Sequence, residues 1–221
     1  NRSLDEPLAD ASVVAAFAAA SAVSEMGIRI VLGGDGGDEL FGGYPTYSAD
    51  EWARVIPRPI RTGVQLLGGL SWLVPNGRHP IGRRHRMRQF AKALKLDPPA
   101  AHSAWRTVSW AEDRRKVFAP VAPLVDAYDP FIRAREIYAA TLDRPWMDRM
   151  LAIDQETWLP GAHLRKMDRA FMAYGIETRA PFLSRDVWSI SSSLPTKQKA
   201  DAFKTKKALR DLAQNRLPLD I

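Results

Sequence analysis

The sequence predicts an α/β fold of predominantly helical content, of the doubly wound kind. Three observations carry this. The run Ile28-Arg29-Ile30-Val31-Leu32 is β-branched and mostly apolar on both faces, as buried parallel strands are. A glycine-rich turn, Gly33 to Tyr44, follows it directly. Helix, strand, then glycine turn is the order expected late in a doubly wound sheet, where ligands sit at the carboxyl ends of the strands.

The elements follow in order. Residues 10–26 are dense in alanine; Asp10 or Ser12 can cap this helix and Gly27 can stop it. After the strand and its turn, helices are expected over 48–56, 59–74, 84–95, 99–108, 111–117, 131–141, 144–158, 160–175, 184–193 and 204–216, with prolines punctuating them. A lone parallel strand cannot satisfy its backbone or cover its faces. Its partners are therefore expected upstream of Asn1. The chain does not begin with Met and shows no signal peptide, so the expectation is one partial domain over 1–221, an internal piece of a longer protein.

Composition removes several classes. The chain has 221 residues, 46% hydrophobic and 26% charged, which is ordinary for a globular protein. It has no Cys, which excludes disulfide scaffolds, Cys-ligated zinc or iron–sulfur centres and thiolate catalysis, and fits a cytoplasmic protein. The longest apolar stretch, residues 63–75, is interrupted by Gly68 and Gly69 and is shorter than the ~20 residues of a membrane span. No membrane partner is expected. The net charge of +7 resides in residues 78–95, with seven Lys/Arg and no acid. A nucleic-acid role is disfavoured there, because no binding motif or interleaved aromatic accompanies the charge. A solvated face or an interface is the preferred reading.

The turn after Leu32 is the most informative stretch. Six glycines in eleven residues are interleaved with Asp35, Asp38 and Glu39. Glycines let backbone approach a ligand and form anion nests. Carboxylates repel bare phosphate, so a phosphate site here requires Mg²⁺ held by one or two of them. An exposed acidic turn or a Ca²⁺ loop is the alternative, although the spacing is not that of an EF-hand. The residues alone leave both readings open.

The segment GGDGGDELFGGY (33–44) resembles the S-G-D/E-G-x-D-E-L-F-G-G-Y segment of the glutamine-hydrolysing asparagine synthetase family. A second stretch, Asp154 to Leu183, resembles the family's D-x-x-x-Y-L-P-x-x-L-L-x-K-x-D-R-x-x-M-A-x-x-x-E-x-R-x-P-F-L-D. Thr205-Lys206-Lys207-Ala208-Leu209-Arg210 with Leu217-Pro218 resembles T-K-x-x-L-R…L-P, and Asp5-Glu6-Pro7 with Ala9-Asp10 resembles D-E-P-x-A-D. The four blocks occur in the family's order. Residues 45–150 carry no such signal.

The resemblance implies the carboxy-terminal part of an adenine-nucleotide-binding synthetase domain that forms an amide from a carboxylate. ATP and Mg²⁺ are implied: the carboxylate attacks the α-phosphate, pyrophosphate leaves, and ammonia takes the acyl group from AMP. By position, Asp38 matches the Mg²⁺-binding acid and Asp35 the acid associated with the amino-acid substrate. Gly34, Gly36 and Gly37 shape the loop. Arg169 matches a cation facing pyrophosphate, Glu177 a catalytic-centre acid, and Lys206 the lysine that stabilises charge on the α-phosphate. If 204–216 is helical, Lys206 opens that helix and gains positive potential from its end.

Departures from the pattern include Gly33 for Ser, Trp158 for Tyr and Ser184 for Asp. The S-G-G-x-D-S pyrophosphate loop and the glutaminase nucleophile Cys do not occur in these residues, so this piece alone is expected to be inactive. The expected substrate is aspartate, aminated by ammonia from a separate glutaminase domain. Another carboxylate acceptor, or a non-catalytic interaction module, is the alternative, and a homodimer is left open. Among the remaining features, His79, His85, His102 and His163 lack the spacing of a helical metal pair. Trp72, Trp105, Trp110 and Trp146 are expected in the core. Asp154, Asp168 and Arg179 suit internal salt bridges, with Arg179 locking the turn before Pro181.

Overall fold

The computed structural model describes residues 10–69, 82–214 and 216–218, together with Leu4 and Leu8. The Asp5-Glu6-Pro7 block, Trp72, His79 and the end of the helix expected over 59–74 lie outside the described residues. In chain order the elements are α1 (Ser12–Glu25), β1 (Ile30–Leu32), α2 (Gly37–Phe41), α3 (Pro45–Val55), α4 (Arg58–Gly69), α5 (Arg83–Ala93), α6 (Pro98–Ala104), α7 (Ala111–Val117), α8 (Ala122–Ala127), α9 (Ile132–Ala140), α10 (Trp146–Glu156), α11 (Arg165–Met172), β2 (Glu177–Arg179), α12 (Arg185–Ser193), α13 (Thr196–Lys199) and α14 (Lys207–Gln214). A π-helical turn, Leu159–Leu164, precedes α11. Among the described residues no helix is long and apolar enough to cross a membrane. The chain divides into two compact units.

The first unit takes the described residues of 1–44, 144–200 and 204–221. It holds β1 and β2, paired in parallel with Ile30 opposite Glu177, Val31 opposite Thr178 and Leu32 opposite Arg179. Backbone bonds from Glu177 N to Arg29 O and from Gly33 N to Arg179 O extend the ladder at both ends. The weak strand signal in Glu177-Thr178-Arg179 is overridden by this pairing, as β-propensity often is by context.

α1 ends as its sequence indicates. Gly27 takes φ +73°, its N–H bonds to Ser24 O, and the Ile28 N–H bonds to Val23 O. These two bonds are a Schellman stop. At the other end Asp10 accepts from both the backbone N–H and the hydroxyl of Ser12. The helix buries Ala16 and Ala20 against Ala170, Phe171 and Ile176, with Val31 packed on the same cluster. Small residues at this face let α1 and α11 approach closely.

The strand departs from expectation in one respect. Val31 turns to the core, but Ile30 and Leu32 are 49% and 74% exposed. The α1–α11 layer covers one face of the strand pair, and among the described residues nothing covers the other. The helix expected over 160–175 is also divided. Pro160 lacks an N–H to donate, and the chain widens to a π turn before α11 begins.

Around α2 the core is denser. Leu40 and Phe41 are buried beside Met147, Met150, Leu151 and Ile153 of α10. Full burial of one such side chain contributes roughly 1.5–3 kcal/mol. The Ser191 hydroxyl donates to Leu40 O at 2.7 Å, and Lys199 Nζ reaches Asp148 Oδ1 at 2.7 Å.

The second unit, Pro45–Asp143 with Asp201–Phe203, corresponds to the segment without motifs. Its centre is polar as well as apolar. Asp50 accepts from Trp105 Nε1 at 2.6 Å and meets His102 Nδ1 at 2.6 Å; Tyr47 stacks on the His102 ring. Trp105 and Trp110 border a cluster of Ala93, Ala101 and Ala104, so they are half-buried walls of a core rather than its interior. On α5, Arg86 and Arg88 are exposed.

Lys166, buried on α11, donates to Asp10 Oδ2 at 2.8 Å and to Ser12 Oγ at 2.7 Å. Burial alone would raise the Asp10 carboxyl, but its bonds to Lys166 and Ser12 prevail and hold it at about 2. A lowered folded-state pKa stabilises above the ordinary value of 3.8, and that contribution is lost as pH falls toward 2. In the complete protein, Lys166→Met should therefore lower the urea midpoint at neutral pH, with the gap to wild type narrowing below about pH 4. A gap independent of pH down to about pH 3 would contradict the linkage.

Candidate active site

The site is built on the turn that leaves the carboxyl end of β1, where Gly33 N is bonded to Arg179 O at the end of β2. Gly36 takes φ +86°, and a Cβ there would overlap the Leu183 side chain. The turn then enters α2, a single helical turn whose first residues include Asp38 and Glu39. Gly42, at φ +67°, ends it, and the Gly43 N–H returns to Asp38 O at 2.9 Å. The loop thus folds back on the residue that carries its acid.

Lys206 meets that acid. Its Nζ lies 2.9 Å from Asp38 Oδ1, with the two side chains 34% and 31% exposed. Gly43 makes the meeting possible, because a Cβ at that position would overlap Asp38 Oδ1 and Lys206 Cε. Lys206 itself holds φ +52°, an uncommon conformation for a non-glycine residue. Its N–H donates to Gly42 O at 3.4 Å, and its carbonyl accepts from Arg210 N at 2.8 Å. The expectation that Lys206 opens the helix is corrected accordingly. The helix runs Lys207–Gln214, and Lys206 stands immediately before it in the left-handed region.

The other expected residues are placed as follows. Asp35 is half-buried, and its Oδ2 lies 2.7 Å from where a Gly33 Cβ would stand. Gly37 faces the Phe182 ring, whereas Gly34 has open space around it. Glu177 is the first residue of β2 and is exposed; it pairs with Ile30, at the end of the strand pair opposite to the one from which the glycine loop leaves β1. Arg179 Nε donates to Glu177 Oε1 at 2.8 Å and holds that carboxyl below its ordinary value. The Arg179 side chain therefore pairs along its own strand and does not lock the following turn. Arg169 is on the exposed side of α11, the helix packed on β2. Asp154 is buried in α10, and Asp168 is exposed on α11.

The structure thus joins Asp38, Lys206 and Gly43 directly, whereas Glu177 is on β2, paired with Arg179, and Arg169 is on α11. Sequence reasoning offered Glu39 as one of three acids for Mg²⁺, but the structure buries it against Tyr44; it gave no role to Tyr44 or His163. Tyr44 Oη lies 2.7 Å from Glu39 Oε1 and 3.0 Å from His163 Nε2. The first two residues belong to the glycine block, but nothing in their spacing designates His163.

Among the described residues no group of three acids or histidines could hold a metal by itself. Asp38 offers one accessible carboxylate. That donor set suits Mg²⁺, which keeps waters and is bound through one or two carboxylates together with substrate phosphates. It does not suit a fully caged structural ion.

Gly36 and Gly34 make opposite predictions. Gly36→Ala in the complete protein should lower stability by about 1–3 kcal/mol, through a strained φ and the clash with Leu183. Gly34→Ala should stay within about 0.5 kcal/mol. Equal urea midpoints for the two variants would contradict the loop geometry.

Comparison with known proteins agrees with the geometry. The family model described as asparagine synthase matches residues 1–221. A putative asparagine synthetase [glutamine-hydrolyzing] of Mycobacterium tuberculosis (strain ATCC 25618 / H37Rv) is 33% identical over 223 residues, covering 99% of this chain and 32% of the relative. Asparagine synthetase [glutamine-hydrolyzing] 1 of Bacillus subtilis (strain 168) is 26% identical over 224 residues, covering 97% of this chain and 32% of the relative. The chain thus spans about a third of the length of the curated relatives it matches. No solved structure matches it significantly. The paired glycine and lysine blocks, with a family match along the whole chain, show that this chain belongs to the asparagine synthase family.

Proposed function

We propose that the complete protein forms an amide from a carboxylate at the expense of ATP, with aspartate converted to asparagine by glutamine-derived ammonia. The observation that carries this reading is the Asp38–Lys206 pair beneath the glycine loop. An ion pair this accessible contributes only about 0–1 kcal/mol. A ligand bearing both charges can therefore part it at little cost. Asp38 would then hold Mg²⁺, and Lys206 would turn to the nucleotide's phosphate.

In this reading Mg²⁺ neutralises the polyphosphate and supplies Lewis-acid stabilisation for the leaving pyrophosphate. Lys206 stabilises charge that develops on the α-phosphate as the carboxylate attacks to form an acyl-adenylate. Arg169 faces the leaving pyrophosphate. Asp35 orients the substrate's amino group, and Glu177 serves as the acid of the catalytic centre once substrate draws Arg179 from it. Gly34, Gly36 and Gly37 give the backbone its close approach. The strand pair is read as part of a doubly wound sheet, with the apolar face of Ile30 and Leu32 meeting further layers. The relatives' names support the glutamine-dependent reaction and the asparagine product.

One observation favours a second acceptor. A side chain at Gly33, where the family pattern has Ser, would force the Asp35 carboxylate to move. The Asp35 carboxylate is free to stand closer to the backbone of residue 33 than a Ser there would let it, and another carboxylate acceptor is the second reading.

In the complete protein, Lys206→Ala should lower amide formation by at least ~100-fold, the scale of one lost electrostatic contact in the transition state. Asp38→Asn should weaken use of Mg²⁺–ATP. Pyrophosphate release assayed over a panel of carboxylic acids reads both variants and names the acceptor. Near-normal turnover by Lys206→Ala would contradict the assignment. Failure of every acid to elicit pyrophosphate release would favour an interaction module.

A further inference from the structure

The row Glu39–Tyr44–His163 is used by none of the roles above, yet it flanks the pair on which they depend. Glu39 is 1% exposed and adjoins Asp38 in α2; Tyr44 adjoins Gly43, whose missing side chain admits Asp38 and Lys206. Between Glu39 and Tyr44 lie Gly42 and Gly43, two residues that favour no single backbone conformation. The row closes over this hinge and fastens it to the π turn Leu159–Leu164, which carries His163.

The hydrogen bonds have a direction. A phenol has one proton to give, and Tyr44 donates it to Glu39 Oε1 at 2.7 Å. The Tyr44 oxygen is left to accept, so His163 Nε2 carries a proton and donates at 3.0 Å; this tautomer is assigned from the network. The imidazole is held in place for the task, stacked on the Tyr44 ring and edge-on to Trp158. The family pattern quoted above has leucine at the position of His163.

We infer that Tyr44 and His163 are positioning residues, which fix the Gly42–Gly43 backbone so that Asp38 and Lys206, once a ligand parts their ion pair, both remain in reach of one nucleotide, and so set the affinity for Mg²⁺–nucleotide. The inference rests on the proposed role of Asp38. It requires that loss of the His163 donor weaken Mg²⁺–ATP binding more than it slows the chemical step. It also requires that a side chain which restores an N–H at the same reach restore the binding.

The test uses the complete protein with Mg²⁺–ATP as probe, comparing His163→Leu, His163→Gln, Tyr44→Phe and Asp38→Asn. Outer partners of a metal site are typically worth at least 10-fold in affinity. His163→Leu and Tyr44→Phe should therefore raise the Kd and the KM for Mg²⁺–ATP by about 10-fold, with kcat little changed. His163→Gln, whose amide nitrogen reaches as Nε2 does, should return near the wild-type value. Unchanged Mg²⁺–ATP binding in His163→Leu, or equal damage from Leu and Gln, overturns the inference while a weakened Asp38→Asn leaves the proposed function standing. Unchanged Mg²⁺–ATP binding in Asp38→Asn overturns the reading of the site, and this inference with it. If Tyr44→Phe does not fold, the Leu and Gln variants of the half-exposed His163 decide the matter alone.

Discussion

The contact between Asp38 and Lys206 constrains everything around it. It brings residues near opposite ends of the chain to 2.9 Å. Three local conditions must hold for it to form. Gly43 must lack a side chain, Gly42 must end α2 after one turn, and Lys206 must take a left-handed conformation. The energetics are one-sided. An exposed pair returns about 0–1 kcal/mol, whereas a strained non-glycine φ costs on the order of 1–3 kcal/mol. The pair therefore does not stabilise the fold; the fold imposes the pair. Such strain at a polar, accessible junction belongs to a working site more readily than to a structural one.

The surrounding packing supplies the imposition. α2 is anchored by Leu40, fully buried, and by the Ser191 hydroxyl on its carbonyl. Gly42 lies against Ala200, whose neighbour Lys199 is tied to Asp148 of α10. β1 and β2 fix where the loop departs, and α1 and α11 fix the strands from one side through facing alanines. The described residues of all four motif blocks lie in this one unit. The segment without motifs folds around its own polar centre of Asp50, His102 and Trp105.

Local signals were legible in the sequence and pairings between distant residues were not. The Gly27 stop, the strand at Ile30–Leu32 and the helix at Ala111–Val117 stand where spacing and capping chemistry put them. β2 was hidden because Glu177-Thr178-Arg179 has no apolar face, and it is a strand only through its bonds to Arg29, Gly33 and β1. α2 was hidden because glycine on both sides masks a single turn. The left-handed Lys206 was hidden because non-glycine residues rarely take that conformation and its contacts, Gly42 O and Asp38, are remote in sequence. Glu39 and Tyr44 were visible as letters of a motif. Their link to His163 was not, since the motif has leucine there.

The most direct test of the account is a double-mutant cycle in the complete protein. The rate of pyrophosphate release per Mg²⁺–ATP is measured for wild type, Asp38→Asn, Lys206→Ala and the double variant. If the two residues serve one nucleotide site, the double variant loses far less than the product of the single losses, because groups that act as a unit are non-additive. Losses that simply multiply, or single variants that turn over like the wild type, would contradict it.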